Sequence, residues 1–283
     1  MTAALIQQRA GLQRFKRRAE AGRSPSLFSA APSPRARARP THTRRAGARS
    51  PGLTSPLASA PIAFRLSTPA QFACARTLTA IGTGTVKAAE RLSDRLLEVT
   101  LADPVPEAVE EGNVVENVTW TPEVHIAGNR FARIPTRGIL LTTRRPAIIE
   151  NDTFEQMRKS AVWIEGASFS WFESGPVRDL TIRGNKFVDC GDTDCPVVAV
   201  VPAVSEPDAE RPVHRGIRLT DNRFETRDAV VLEAHGTRGL VFSGNEITAV
   251  QTAGFAKLMD AIRLTACADT DIRDNRFLTG NGS

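Results

Sequence analysis

No apolar run in the 283 residues approaches 18, so no membrane-crossing helix is expected. There is no tyrosine, and tryptophan occurs only three times. Of the four cysteines (Cys74, Cys190, Cys195 and Cys267), only Cys190 and Cys195 share a loop. They lack the close His or Cys partners of a zinc site, so no metal or cofactor is expected; a local disulfide between them stays open. His125, His214 and His235 fall in separate segments, which excludes a nucleophilic triad and a histidine metal centre. There is no G-x-S-x-G elbow. Gly82-Thr83-Gly84 lacks the Lys-Ser/Thr and the following helix of a phosphate loop, and reads as a turn.

Acidic residues are scarce in one region only. Residues 1–65 hold 13 Lys or Arg and a single acid, Glu20, a charge of +12, whereas residues 66–283 carry −6. The pI near 9.7 therefore belongs to the N-terminal part. That part is rich in Ala, Arg, Pro and Ser, without apolar period, and residues 1–70 are expected to be a disordered tail. No aromatics are interleaved with its arginines, so nucleic acid is not an expected partner. Its composition fits a transit peptide better than a secretory signal, since no basic start precedes a 7–15-residue apolar run. It also fits a GC-rich gene read from the wrong start or frame. Localisation is left open.

What the sequence does have is a repeat. An eight-residue phrase recurs six times: VHIAGNRF, AIIENDTF, LTIRGNKF, IRLTDNRF, LVFSGNEI and TDIRDNRF. Its aligned polar positions are Asn129, Asp152, Asn185, Asn222, Asn245 and Asn275, at spacings of 23, 33, 37, 23 and 30 residues. Repeats of this length signal solenoids and arrays. The alternation within each copy is that of a strand with one buried face. Between copies lies a second apolar stretch, GILLTT, AVWIEG, VVAVV, AVVLEA or AIRLTA. No unit is long enough for its own core, so the coils must stack. Stacking in register would let each Asn bond the next, in a turn where it tolerates left-handed angles, and would place Phe131, Phe154, Phe187, Phe224, Ile247 and Phe277 inside. The expected fold class is all-β: a parallel β-helix over 123–283, preceded by a small β-barrel-like segment over 71–122. Short alternating stretches separated by SD, ADPVPE and EEG carry that segment. The exposed end of such a stack predicts self-association as a homodimer.

From about residue 76 onward the chain resembles the inverting exo-α-galactosidases that remove terminal α-1,3-linked galactose. The phrases that carry this are RTLTAIGTGTVK, EEGNVVENVTWTPEV, RGILLTTRRPAIIENDTF and SAVWIEGASFSWFESGPVRDLTIRGNKF. The resemblance implies a right-handed parallel β-helix interrupted by small barrels, a galactose-terminated glycan as partner and no membrane. The family's catalytic carboxylates lie in phrases of the type SADATHF and LDDATNVHG. Neither occurs here, and Ala167 stands where relatives tend to carry an acid. The expectation is therefore a truncated, inactive form. Inverting hydrolysis needs a carboxyl acid and a carboxylate base about 6.5–9.5 Å apart. On the turn after AVWI, Glu165 and Glu173 are the acids available to face a sugar, with Trp171 or Trp163 as an apolar platform; whether Trp163 or its neighbours Val162 and Ile164 face the core stays open, and the catalytic residues stay unassigned. Asp228, Glu233 and Asp260 read as turn or surface acids. A non-catalytic carbohydrate-binding or structural β-helix is the alternative. A pectate-lyase-like enzyme is the third reading, although it needs clustered Asp for calcium that the sequence does not offer.

Overall fold

The computed structural model describes residues 3–7, 13–17, 69–93, 96–119, 121–167, 175–204, 207–227, 229–249 and 258–279. The first part is a closed barrel. It consists of β1 (Ala3–Gln7), β2 (Gln13–Arg17), β3 (Pro69–Ala73), β4 (Ala80–Ser93), β5 (Leu96–Leu101) and β6 (Val114–Asn117), in the order β1-β2-β6-β3-β4-β5. Phe72, Val86, Leu97, Val99, Leu101 and Val115 fill it. Two strands thus arise inside the stretch expected to be a structureless tail. The reason is geometric: β5 and β6 would otherwise end the sheet with unpaired backbone groups, and β1 and β2 pair with them antiparallel. Most of the remainder of that stretch lies outside the described residues. Gly82 and Gly84, read as a turn, sit within β4. A Cβ on Gly82 would come within 2.6 Å of the Pro106 ring, so glycine is what allows the close approach.

The rest of the described chain is a parallel β-helix. Its first coil contains β7 (Val124–Ala127), β8 (Arg130–Ala132) and β9 (Ile139–Leu141). The second has β10 (Ala147–Glu150), β11 (Thr153–Glu155) and β12 (Val162–Ile164), and the third β13 (Arg178–Arg183), β14 (Lys186–Val188) and β15 (Val198–Val200). The fourth has β16 (His214–Thr220), β17 (Arg223–Thr226) and β18 (Leu232–His235). The fifth has β19 (Thr237–Arg238), β20 (Val241–Ser243), β21 (Glu246–Ala249) and β22 (Ile262–Thr265), and β23 (Asp271–Arg273) and β24 (Arg276–Thr279) follow. The first sheet runs β23-β20-β16-β13-β10-β7, with β19 paired to β16. The second runs β24-β21-β17-β14-β11-β8, and the third β22-β18-β15-β12-β9.

The expected ladder is present in the turn between the first and second sheets. The backbone N–H and side-chain amide of Asn185 both donate to Asn222 Oδ1 at 3.0 Å, and those of Asn222 do the same to Asn245. Asn245 repeats this on Asn275, and Asn129 on Asp152. The amides of Asn185, Asn222, Asn245 and Asn275 also donate to a carbonyl of the coil above, as Asn222 does to Ile182 at 2.9 Å, whereas Asn129 donates to Ala127 of its own coil. The left-handed residue is not the ladder residue itself, as read from the sequence, but the one before it. Gly128, Asn151, Gly184, Asp221, Gly244 and Asp274 all have φ between 54° and 69°. These are the residue types that tolerate that region.

Inside, Phe131, Phe154, Phe187 and Phe224 stack at centroid spacings of 4.9, 5.0 and 4.8 Å, following the pitch of the strands. At the next coil the column switches sheets. Ile247 is smaller than Phe, and Phe242 from the first sheet packs on Phe224 at 6.2 Å instead. Volume is conserved in a densely packed interior.

His214 is fully buried. Its Nδ1 accepts the Val177 N–H at 3.1 Å, which leaves the proton on Nε2, where no partner meets it. Burial, assisted by the nearby Arg178 charge, pushes its pKa down to about 3. In the unfolded chain histidine gains its proton near pH 6.5. Between those values the unfolded state binds more protons, so stability is full above the upper one and falls with pH. The loss by pH 5 should be about 2 kcal/mol. Urea titrations at pH 7.5 and 5 should show it, and His214→Gln should remove most of the difference. An equal loss in the variant would assign the effect to other groups.

Candidate functional site

Each coil leaves the third sheet and re-enters the first through a connection of its own length. Those after β12 and β15 are the longest in the first four coils, spanning 165–177 and 201–213. The barrel sits against this edge: Ala73, Leu78 and Val114 pack on Val213, and Thr143 Oγ1 donates to the Pro122 carbonyl. Glu116 of β6 is buried there. It accepts Arg144 Nε and an ion pair from the same guanidinium on one oxygen, and the Gly175 N–H at 3.1 Å on the other. A Cβ on Gly175 would press on the Arg144 guanidinium and the Glu116 carboxylate, so a larger residue there would have to displace the ion pair. No sequence signal joins Glu116 to Arg144, because they belong to different architectural units.

Glu165 lies at the exit of β12, half-buried, with its backbone N–H on the Leu141 carbonyl. Its Oε2 accepts the Trp163 indole N–H at 2.7 Å. Trp163 faces outward between the buried Val162 and Ile164, which decides a question the alternating sequence leaves open. The Arg137 guanidinium covers the Trp163 ring at 4.2 Å. Strand register places Leu140, Trp163, Ala199, Glu233 and Arg263 in one outward column. Glu233 is held by His235 at 3.1 Å and Arg263 at 3.8 Å. Trp171 and Glu173, expected beside Glu165, lie outside the described residues, as does Asp228.

The other surface acids are mostly engaged. Arg183 and His125 bind Glu150 and hold its carboxyl below the usual range, and Arg130 does the same to Glu155. Asp179 pairs with Arg218, and Glu225 with Lys186, at 3.0 Å each. Among the described residues no three His, Cys, Asp or Glu gather into a metal-binding group, and no helix is long and apolar enough to cross a membrane. Cys190 and Cys195 are both unbonded thiols. Burial pushes Cys190 up to about 11, which makes it an inert core residue.

A small barrel docked by a buried ion pair on an asparagine-laddered parallel β-helix defines the class of this protein. Residues 68–115 match the family model described as GLAA-B beta-barrel domain II. The chain is 43% identical over 185 residues to alpha-1,3-galactosidase A of Bacteroides fragilis, covering 64% of this chain and 31% of that protein. It is 40% identical over 205 residues to alpha-1,3-galactosidase A of Bacteroides thetaiotaomicron, covering 71% and 35%. Alpha-1,3-galactosidase B of the latter organism is 35% identical over 210 residues, covering 71% and 34%. Over the matched residues the chain is similar to these α-1,3-galactosidases, and it spans about a third of the length of these curated relatives.

Proposed function

We propose that this protein acts on glycans as a glycoside hydrolase of the α-1,3-galactosidase type. Its ligand is a terminal α-1,3-linked galactose, and the connection that starts at Glu165 is part of the sugar-facing wall. The observation that carries this is the Trp163–Glu165 pair at the exit of β12, in a chain 35–43% identical to proteins of that name. An indole and a carboxylate side by side offer an apolar ring and a hydroxyl acceptor, the two kinds of surface a pyranose presents. Trp171 and Glu173, six and eight residues further along the chain, are proposed as further sugar-binding residues.

The two acids described on this outward face are both engaged. Glu165 is taken by Trp163, and Glu233 by His235 and Arg263. An inverting mechanism loses its function when either member is missing. We therefore propose that this chain holds the glycan without turning it over, hydrolysis being the activity its relatives are named for, and a β-helix that engages no sugar is the second reading. Aryl α-galactoside and α-1,3-galactobiose decide between them. The expected result is no turnover above background, with galactobiose binding weakened roughly tenfold in Glu165→Gln, which keeps a hydrogen-bonding oxygen near Trp163 but loses the charge. Turnover abolished by Glu165→Gln would make Glu165 catalytic. An absence of galactobiose binding would overturn the reading.

A further inference from the structure

Three arginines stand one above another where the chain re-enters the first sheet. Arg178 is register-matched to Arg215, and Arg215 to Arg238. Their neighbours Val177, His214 and Thr237 are buried, so the alternation turns all three arginines outward. The backbone bends immediately afterwards in each of these three coils, at Asp179, Gly216 and Gly239, with φ of 54°, 64° and 68°. The same corner is thus repeated, and the arginines are presented at strand spacing, about 4.8 Å apart at the backbone.

The flanking charges are compensated and the central ones are not. Arg144, on one side, is bound to Glu116. Arg238, on the other, faces Asp269 at 3.4 Å and donates to the Ala209 carbonyl. The carboxylate next to Arg178, that of Asp179, is turned to Arg218 instead. Among the described residues, Arg178 and Arg215 stand side by side with no acidic partner. Arg178 still reaches solvent, yet partial desolvation, followed by the like charges of Arg144 and Arg215, lowers its pKa. Two stacked cations without a counter-charge repel each other and gain from a shared anion. Guanidinium forks match carboxylates and sulfates, which accept two parallel N–H bonds.

This pair sits at the end of the connection that begins at Glu165, on the edge assigned above to the sugar. We propose that Arg178 and Arg215 form a subsite for an anionic substituent, a carboxylate or a sulfate ester, on the glycan held at that edge. The inference rests on the glycan reading of the edge and adds the charge class of the ligand. Neutral galactose would occupy the Glu165 end, and the acidic group would lie over the arginine pair.

The test uses the full chain with four probes: galactose, galacturonic acid, galactose 6-sulfate and inorganic sulfate, each titrated calorimetrically at low and at high salt. At least one charged sugar should bind about tenfold more tightly than galactose at low salt, because charge-assisted bonds are worth that much, and salt should erode the advantage. Which one does so tells a carboxylate from a sulfate. Arg178→Gln/Arg215→Gln should abolish the preference. Arg223→Gln, an exposed arginine of β17 on the second sheet, should leave it intact and so control for net charge. A preference that survives the double substitution would overturn the subsite, as would charged sugars binding no better than galactose. Galactose binding without any charge preference would remove the subsite alone. Sulfate bound through the arginine pair with no sugar bound at all would remove the glycan reading as well.

Discussion

Replacing Glu116 by alanine should lower the stability of this protein by about 3–5 kcal/mol, because it leaves a buried arginine without its counter-charge. Glu116 and Arg144 have side chains only 3% and 12% exposed, and the same carboxylate also holds the Gly175 N–H. One residue of the barrel thus fastens two segments of the β-helix. The apolar part of the junction is small, with Ala73, Leu78 and Val114 against Val213. Loss of the ion pair should therefore uncouple the two units. Urea unfolding, one transition in the parent, should split into two. Glu116→Ala combined with Arg144→Met removes both charges and should recover much of the loss. A single transition shifted by less than 1 kcal/mol in Glu116→Ala would mean that apolar packing alone docks the barrel.

Asn222→Ala should cost about 3 kcal/mol, from several buried polar groups left unpaired at once. Its Oδ1 serves both the N–H and the amide of Asn185, and its own amide serves Ile182 and Asn245. All of this is sealed from water, since Asn185, Asn222 and Asn245 are at most 1% exposed. The same substitution at Asn129, which is exposed, should change little. Asp152 gives the opposite sign. Its Oδ1 accepts both bonds from Asn129, but Oδ2 is buried without a partner. In the other buried rungs that place is an amide donating to a carbonyl above: Asn185 to Ile149, Asn222 to Ile182 and Asn245 to Leu219. Asp152→Asn restores the donor and should stabilise by about 1 kcal/mol. Thermal denaturation of the three variants checks the series. Equal effects at Asn129 and Asn222 would show that the ladder does not act through buried hydrogen bonds.

The ladder was legible in the amino-acid order because a stacked coil imposes the same demand at each level. A rung needs Asn, the residue before it needs Gly, Asn or Asp, and the inward place after it needs a large apolar group. A demand repeated at every coil writes itself into the sequence as a phrase, whatever the length of the loops between. The solenoid, the inward phenylalanines and the strand character of residues 71–122 follow from such local patterns. Glu165 could be placed on a strand exit in the same way. What belongs to one level only could not be read. Glu116 finds Arg144 across two architectural units, and β1 and β2 join the barrel because β5 and β6 present open edges, not because their own residues require it. Trp163 turns outward because the register of β12 with β9 and β15 buries its neighbours instead. Arg178 and Arg215 are 37 residues apart in the chain, with a long and irregular connection between them. Only the stacking of one coil on the next makes them adjacent, since the loop lengths that separate them carry no period. The sequence determines what each coil must satisfy alone. Tertiary structure decides which side chains of different coils meet, because that depends on register summed over connections of unequal length.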